Sequence, residues 1–312
     1  MTAILQRPAP GLSAGPGSRA RKVKNSLATT LVAASFGIAL IPLVWLMWTV
    51  VSRGFHVIFA SSWWTEDQRG KTFRDGGGGA IHAITGTAEQ VALCSIISIP
   101  IAILVAIYLV EYGTGRLARA TSFMVDILSG VPSIVAALFI YAVFITTFGG
   151  QRTGWLVSLA LVMLMIPVIV RTSEEMLKLV PNELREASYA LGVPKWKTIT
   201  KIVLPTALSG IITGIVLGVA RVAGETAPLL ILVGYSANTN TDLTSGFQGS
   251  LPTFIKSEFG NLGNKTALIN GKRVAVQFSA DRMWGAALTL IIIVMALNLI
   301  ARLIARRSKV TN

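Results

Sequence analysis

The sequence predicts an all-α integral membrane protein with six transmembrane helices. Three observations carry that prediction. Of 312 residues, 53% are hydrophobic and only 13% are charged, against about 25% charged in an ordinary soluble domain. The apolar residues fall in long runs, and a bilayer core is crossed by roughly 20 apolar residues in a helix. Between two of the runs lies a polar, structured insert at 172–207.

The six runs are Leu27–Val51, Ala88–Val110, Met124–Phe148, Gly154–Arg171, Leu208–Gly234 and Met283–Ala305. The fourth is short for a span. Arg19, Arg21, Lys22 and Lys24 precede the first run, as they would in a signal peptide. That run is about twice as long as a signal core and no small-residue cleavage site follows, so it reads as a retained span. Residues 1–26, rich in Pro, Gly, Ser and Arg, are expected to form a disordered basic tail. Residues 27–305 form the transmembrane domain and 306–312 a second short tail.

Six spans put both termini on one side, and Lys and Arg say which. With the N-terminus inside, 17 basic residues lie on or near the inside segments and 10 on the outside ones. The termini are therefore expected in the cytoplasm, with 52–87 and 235–282 as extracytoplasmic loops. The net charge of +14 is spread over short segments between apolar runs. It reads as topology signal and lipid-headgroup contact rather than a nucleic-acid surface. In the first loop, Trp63 and Trp64 are expected to anchor at the membrane interface, and Gly76–Gly79 to form a flexible joint. The triplet Asn264-Lys265-Thr266 matches a glycosylation sequon that chance also produces. Cys94, the single cysteine, sits in an apolar run and reads as a small packed residue.

The insert at 172–207 is expected to form a helix–turn–helix at the inner membrane surface. Glu183 to Ala190 favours helix, Gly192-Val193-Pro194 breaks it, and Lys195 to Val203 forms a second short helix that Pro205 stops. Within span five, Arg221 and Glu225 stand four residues apart on one helix face, near the middle of the run. Ionisable residues in a span are costly and face a path or a partner, so both are candidates for the lining of a translocation path. Asp126 in span three is a weaker candidate. Gly210, Gly214 and Gly218 form a small-residue ridge on which another helix can pack closely.

No enzyme chemistry is legible. His56 and His82 are isolated and read as loop residues, and no metal-ligand cluster or nucleophile–base pair is present in the sequence. The nearest approach to a Walker A, from Gly260 to Thr266, has the wrong spacing. No cofactor is expected.

Two motifs carry a resemblance. Glu186-Ala187-Ser188-Tyr189-Ala190-Leu191-Gly192, followed after nine residues by Ile202-Val203-Leu204-Pro205, resembles the EAA loop of type I ABC-importer permeases, with Ser188 in place of a consensus alanine. That resemblance implies a cytoplasmic coupling helix seated in a separate ATPase, with Glu186, Ala187, Ser188, Gly192, Leu204 and Pro205 as its motif positions. More narrowly, Arg221-Val222-Ala223-Gly224-Glu225-Thr226-Ala227-Pro228-Leu229-Leu230 is similar to a stretch of the PstA family of phosphate-importer permeases. So are Asp126 to Val135 and Glu183 to Gly192. The similarity runs from about residue 76 to the end of span six. Glu89 stands where an apolar residue is expected.

The family resemblance implies a permease in a bacterial plasma membrane. It implies a homologous PstC-like permease, two PstB-like ATPase subunits that bind the ATP, and an extracytoplasmic PstS-like phosphate-binding protein. For such a cargo Arg221 is expected to offset the charge of the anion in transit, with Glu225 pairing the arginine when the path is empty. A sulfate or molybdate importer would share the EAA loop but is not expected to carry Gly-Glu-Thr-Ala-Pro-Leu. A carrier independent of ATP would have no need of the coupling loop.

Overall fold

A computed structural model describes residues 17–72, 75–263, 266–269, 272–275 and 278–309. The chain divides into two compact units at Thr49/Val50. The first unit holds most of helix α1 (Gly17–Ile58). Residues 17–26, expected in a disordered tail, are helical. After Gly17 this stretch has neither Gly nor Pro, and its Arg, Lys and Ala residues favour helix and run straight into the apolar span. The rest of that expected tail, 1–16, lies outside the described residues.

The second unit follows in the order α2 (Ser61–Thr65), α3 (Ile81–Ile107), α4 (Gly115–Gly130), α5 (Ser133–Ile140), α6 (Gly154–Lys178), α7 (Asn182–Ala190), α8 (Lys195–Thr198), α9 (Leu204–Ala223), α10 (Ala227–Leu232), α11 (Leu251–Gly260), a β1–β2 hairpin (Thr266–Ile269, Lys272–Ala275) and α12 (Phe278–Lys309). The hairpin is antiparallel, with Thr266 opposite Ala275 and Ile269 opposite Lys272. Three π-helical stretches extend α3 (Tyr108–Tyr112), extend α5 (Tyr141–Thr147) and precede α9 (Ile199–Val203).

Helix α6 is the centre of the bundle. Two-thirds (67%) of its apolar window is buried, against 22% for α3 and 28% for α9 and α12. Its Leu161, Met165 and Ile169 meet Cys94 and Ala102 of α3 and Val222 of α9 in the main core. Cys94 is buried there, its Sγ 3.5 Å from Met165 Sδ. The glycines of α9 face α6. A Cβ on Gly210 would stand 2.2 Å from Met176 Sδ, and one on Gly214 2.2 Å from Thr172 Oγ1. Gly218 lies against Ile169 and Met165.

Among the described residues five helices are individually long and apolar enough to cross a membrane, and six if one bent pair counts as a span. That pair is the expected third span. It breaks between α4 and α5 with a bend of 105°. Pro132 removes a helix donor and pushes Val131 to an extended conformation (φ −70°, ψ 124°). The expected fifth span also ends early. Gly224 caps α9, and a separate short α10 begins with Pro228 in its first turn and packs on α5. Arg221 therefore lies in the last turn of α9 rather than midway along a longer helix.

Pro205 does not stop a helix. Lys195 to Ala223 run on continuously. The π-helical turn at Ile199–Val203 widens the backbone just where Pro205 lacks an N–H for the Lys201 carbonyl. The fourth span runs on beyond Arg171 to Lys178.

At the end of the bundle away from α7 and α8, three further expectations change. Trp63 is 1% exposed and donates from Nε1 to Thr289 Oγ1 at 2.9 Å, stacking on Phe254. It is core, whereas Trp64 is exposed and donates to the Ile58 carbonyl. His82 is a buried residue of α3, edge-on to Phe254 and Tyr235, rather than a loop residue. The second half of the Gly76–Gly79 run is packed rather than a free joint, with Gly78 and Gly79 buried and Gly76 and Gly77 exposed. Gly77 and Gly78 have φ near +77°, and a Cβ on Gly79 would collide with the Ser62 carbonyl at 2.1 Å. Glu89 lies within α3 and accepts a hydrogen bond from Gln248. Residues 264 and 265 of the sequon lie outside the described residues.

Candidate functional site

Two sets of charged side chains cluster at the α7–α8 end of the bundle. The first is built around the lower half of α6. Arg171 donates from Nη1 to Glu174 Oε2 at 2.6 Å and from Nη2 to Asp126 Oδ1 at 2.5 Å. The same nitrogen donates to the carbonyl and hydroxyl of Ser122, both at 3.0 Å. Glu174 also accepts from Lys178 at 2.7 Å. Arg171, Glu174 and Lys178, three and then four residues apart, lie along a single face of α6, while α4 presents Ser122 and Asp126 four residues apart.

Arg221 comes to this cluster from the end of α9. A cavity of about 200 Å³ is lined by Arg171, Thr172 and Pro167 of α6, Ser129 of α4, Val131 of the helix break, and Arg221. With Leu128, Leu164 and Val168 also at its wall, this small, mostly apolar space is thus bordered by two arginines. They are held differently. Arg171 is fully engaged by Asp126 and Glu174, whereas Arg221 Nε stands 3.9 Å from Glu225 Oε1, beyond hydrogen-bond length, with 54% of its side chain exposed. Asp126, a weaker path candidate in the sequence, pairs with Arg171. Arg171 itself was read only as a border residue of a span. The charged spacing of Arg171, Glu174 and Lys178 was its one signal.

The second set belongs to the α7–α8 hairpin. Gly192 has φ +74°, a conformation that glycine adopts without strain, and turns the chain between the two helices. The buried hydroxyls of Ser188 and Thr198 are 2.8 Å apart and join them. Glu186 and Ala187 are exposed, as are Leu191 at 84% and Trp196 at 62%, so the hairpin offers an apolar, uncovered face. Leu204 and Pro205 lie at the start of α9, beside the small core that joins Leu177, Val203, Ala207 and Ile211 to Ala106 of α3.

Behind the exposed face, Arg185 is tied down. It donates from Nη2 and Nε to Glu111 Oε1 at 2.8 and 3.0 Å, and to the Leu177 and Val180 carbonyls at the end of α6. Among the described residues no group of three or more His, Cys, Asp and Glu side chains is placed to hold a metal ion.

Residues 98–309 match the family described as the binding-protein-dependent transport system inner membrane component. Over 300 residues the chain is 50% identical to the phosphate transport system permease protein PstA 1 of Mycobacterium tuberculosis strain H37Rv, covering 96% of this chain and 93% of that one. It is 36% identical to the phosphate transport system permease protein PstA of Yersinia pestis, covering 93% of this chain and 92% of that one. Among solved structures, a bacterial ABC transporter involved in the import of the acidic polysaccharide alginate superimposes with a TM-score of 0.62 at 15% identity, over 91% of this chain and 96% of that one, a likeness of fold alone. The broken helix, the hairpin and the paired arginines therefore sit on a known scaffold: the chain belongs to the family of binding-protein-dependent transport system inner membrane components and, within it, to the PstA phosphate transport system permeases.

Proposed function

We propose that this chain forms part of the path by which inorganic phosphate crosses a bacterial plasma membrane, with Arg171 and Arg221 as the cationic lining. The single observation that carries this reading is their convergence on one cavity with Ser129 and Thr172 at its wall. Ionisable side chains within spans are costly and face a partner or a path, so two arginines bordering one space suit an anion path. Phosphate, with one to two negative charges, has the complementary chemistry, and arginine forks match its oxygens.

The charge balance of the site suits transit rather than storage. Glu225 holds Arg221 loosely when the path is empty, and Asp126 and Glu174 hold Arg171. An arriving anion displaces Glu225 first, because that pair is the longest. Its departure lets the pair re-form, so no deep well traps the ion. The chain itself supplies no ATP chemistry; that belongs to a separate subunit.

The remaining parts follow from the same reading. The α7–α8 hairpin, with Leu191 and Trp196 uncovered, seats in a cleft of a PstB-like ATPase, of which there are two. A PstC-like permease completes the path, and a PstS-like binding protein delivers phosphate to the opposite end. The Lys and Arg excess on the hairpin side supports cytoplasmic termini. Gly210, Gly214 and Gly218 keep α9 close enough to α6 for Arg221 to reach the cavity.

The test is labelled phosphate uptake by the assembled importer. Arg171→Ala and Arg221→Ala each remove uptake while the complex still assembles, and excess sulfate does not compete in the parent. Normal uptake in both variants would remove the path from this cavity.

A further inference from the structure

The hairpin and the bundle are joined unequally. Helix α6 runs into α7 through a three-residue link, and α8 runs into α9 through the π-helical turn. The chain itself thus carries any motion of the hairpin into α6 and α9. Helix α3 has no such link, because its end is more than 70 residues upstream of the hairpin.

What joins it is Glu111. This residue sits in the π-helical turn Tyr108–Tyr112 that finishes α3, and its side chain is 4% exposed. Arg185 of α7, 12% exposed, reaches it with two nitrogens. Lys195, the first residue of α8, donates to the Glu111 backbone carbonyl and lies 4.7 Å from the centre of the Tyr112 ring. Both hairpin helices therefore grip one residue. Arg185 also caps the carbonyls of Leu177 and Val180, so a single guanidinium bridges α3, α6 and α7.

We propose that Glu111 is a positioning residue for transport, a clasp that makes the end of α3 move with the hairpin. A buried ion pair adds little net stability over an apolar pair, but it fixes geometry and is costly to break from one side. The π-helical turn supports the assignment, since such turns are frequent at functional sites. The clasp also lies close to the path. Leu177 is six residues beyond Arg171 on α6, about 9 Å along the axis. A hairpin that carried only α6 and α9 would shear them against α3 in the core they share. A clasped hairpin moves the three together and turns Arg171 relative to α4. This inference rests on the coupling role proposed for the hairpin.

The experiment uses the complete importer in liposomes, with labels at Thr114 and Glu183 in a Cys94→Ser background. Both label sites are exposed. In the parent, the label distance stays constant between the nucleotide-free and ATP-bound states. In Glu111→Gln the distance changes on ATP binding, and phosphate moved per ATP falls about tenfold, within the usual span of coupling energies. ATP hydrolysis continues. The double variant Glu111→Gln/Arg185→Gln is no worse than Arg185→Gln alone.

A label distance that changes in the parent overturns the clasp even if Glu111→Gln fails to assemble. So does an unchanged phosphate-to-ATP ratio in Glu111→Gln. ATPase retained after Leu191→Asp removes the coupling reading itself, whatever the labels report, and so separates the two failures.

Discussion

Two Arg–Glu pairs in this chain have opposite character. Arg185 and Glu111 meet at 2.8 Å with side chains 12% and 4% exposed. Arg221 and Glu225 stand at 3.9 Å with side chains 54% and 18% exposed. The first joins helices from distant parts of the sequence and is wrapped by backbone carbonyls. The second is a local pair at a helix end, open on one side to a cavity that holds another arginine. A tight, dry pair transmits position; a loose, wet one can change partner. The same residue types thus serve transmission in one place and ion exchange in the other, and only their surroundings differ.

The comparison breaks most sharply if the open pair proves inert. Arg221→Ala is expected to lower phosphate uptake about a hundredfold, through loss of a charged hydrogen-bond donor to the anion in transit. Uptake in membrane vesicles from cells lacking the native chain measures it. Next comes the hairpin face. Trp196→Asp places a charge on a surface proposed to be covered by the ATPase, and co-purification of that subunit is expected to weaken about tenfold or more. Retention of the ATPase at parental levels would contradict that.

A smaller effect concerns packing. Gly214→Val sets a branched side chain against Thr172, where even a Cβ lies at 2.2 Å from the hydroxyl oxygen. Overpacking of this kind costs about 1–3 kcal/mol, visible as a lower thermal midpoint of the purified permease pair. The smallest expected change is in Glu225→Gln. Removing the carboxylate leaves Arg221 free for the anion, so uptake changes by only about two- to fivefold, while release slows and phosphate is held longer. Glu111→Gln, by contrast, is expected to uncouple rather than to retain substrate. An identical phenotype in the two would erase the distinction between the pairs.

The apolar runs made the five unbroken spans legible, because a span must satisfy its own backbone and show its hydrophobicity in sequence. The Gly192 turn and the glycine ridge were legible for the same local reasons. The break at Pro132 was not. A proline in a span signals a kink, but no local pattern reveals a 105° turn or the packing of α10 on α5. Trp63 looked like an interface anchor because its partner, Thr289, lies 226 residues away. The site divides in the same manner. Arg221 and Glu225 stood out as charges within one apolar run. Arg171 and Glu111 did not, since each takes its meaning from a partner 45 and 74 residues away, brought near by helix packing.

The central claim is that phosphate passes between Arg171 and Arg221. Its most direct test is phosphate moved per ATP hydrolysed by the reconstituted importer carrying Arg171→Ala or Arg221→Ala. The account predicts that both variants assemble and hydrolyse ATP yet move almost no phosphate. Parental uptake with both alanines in place would contradict it.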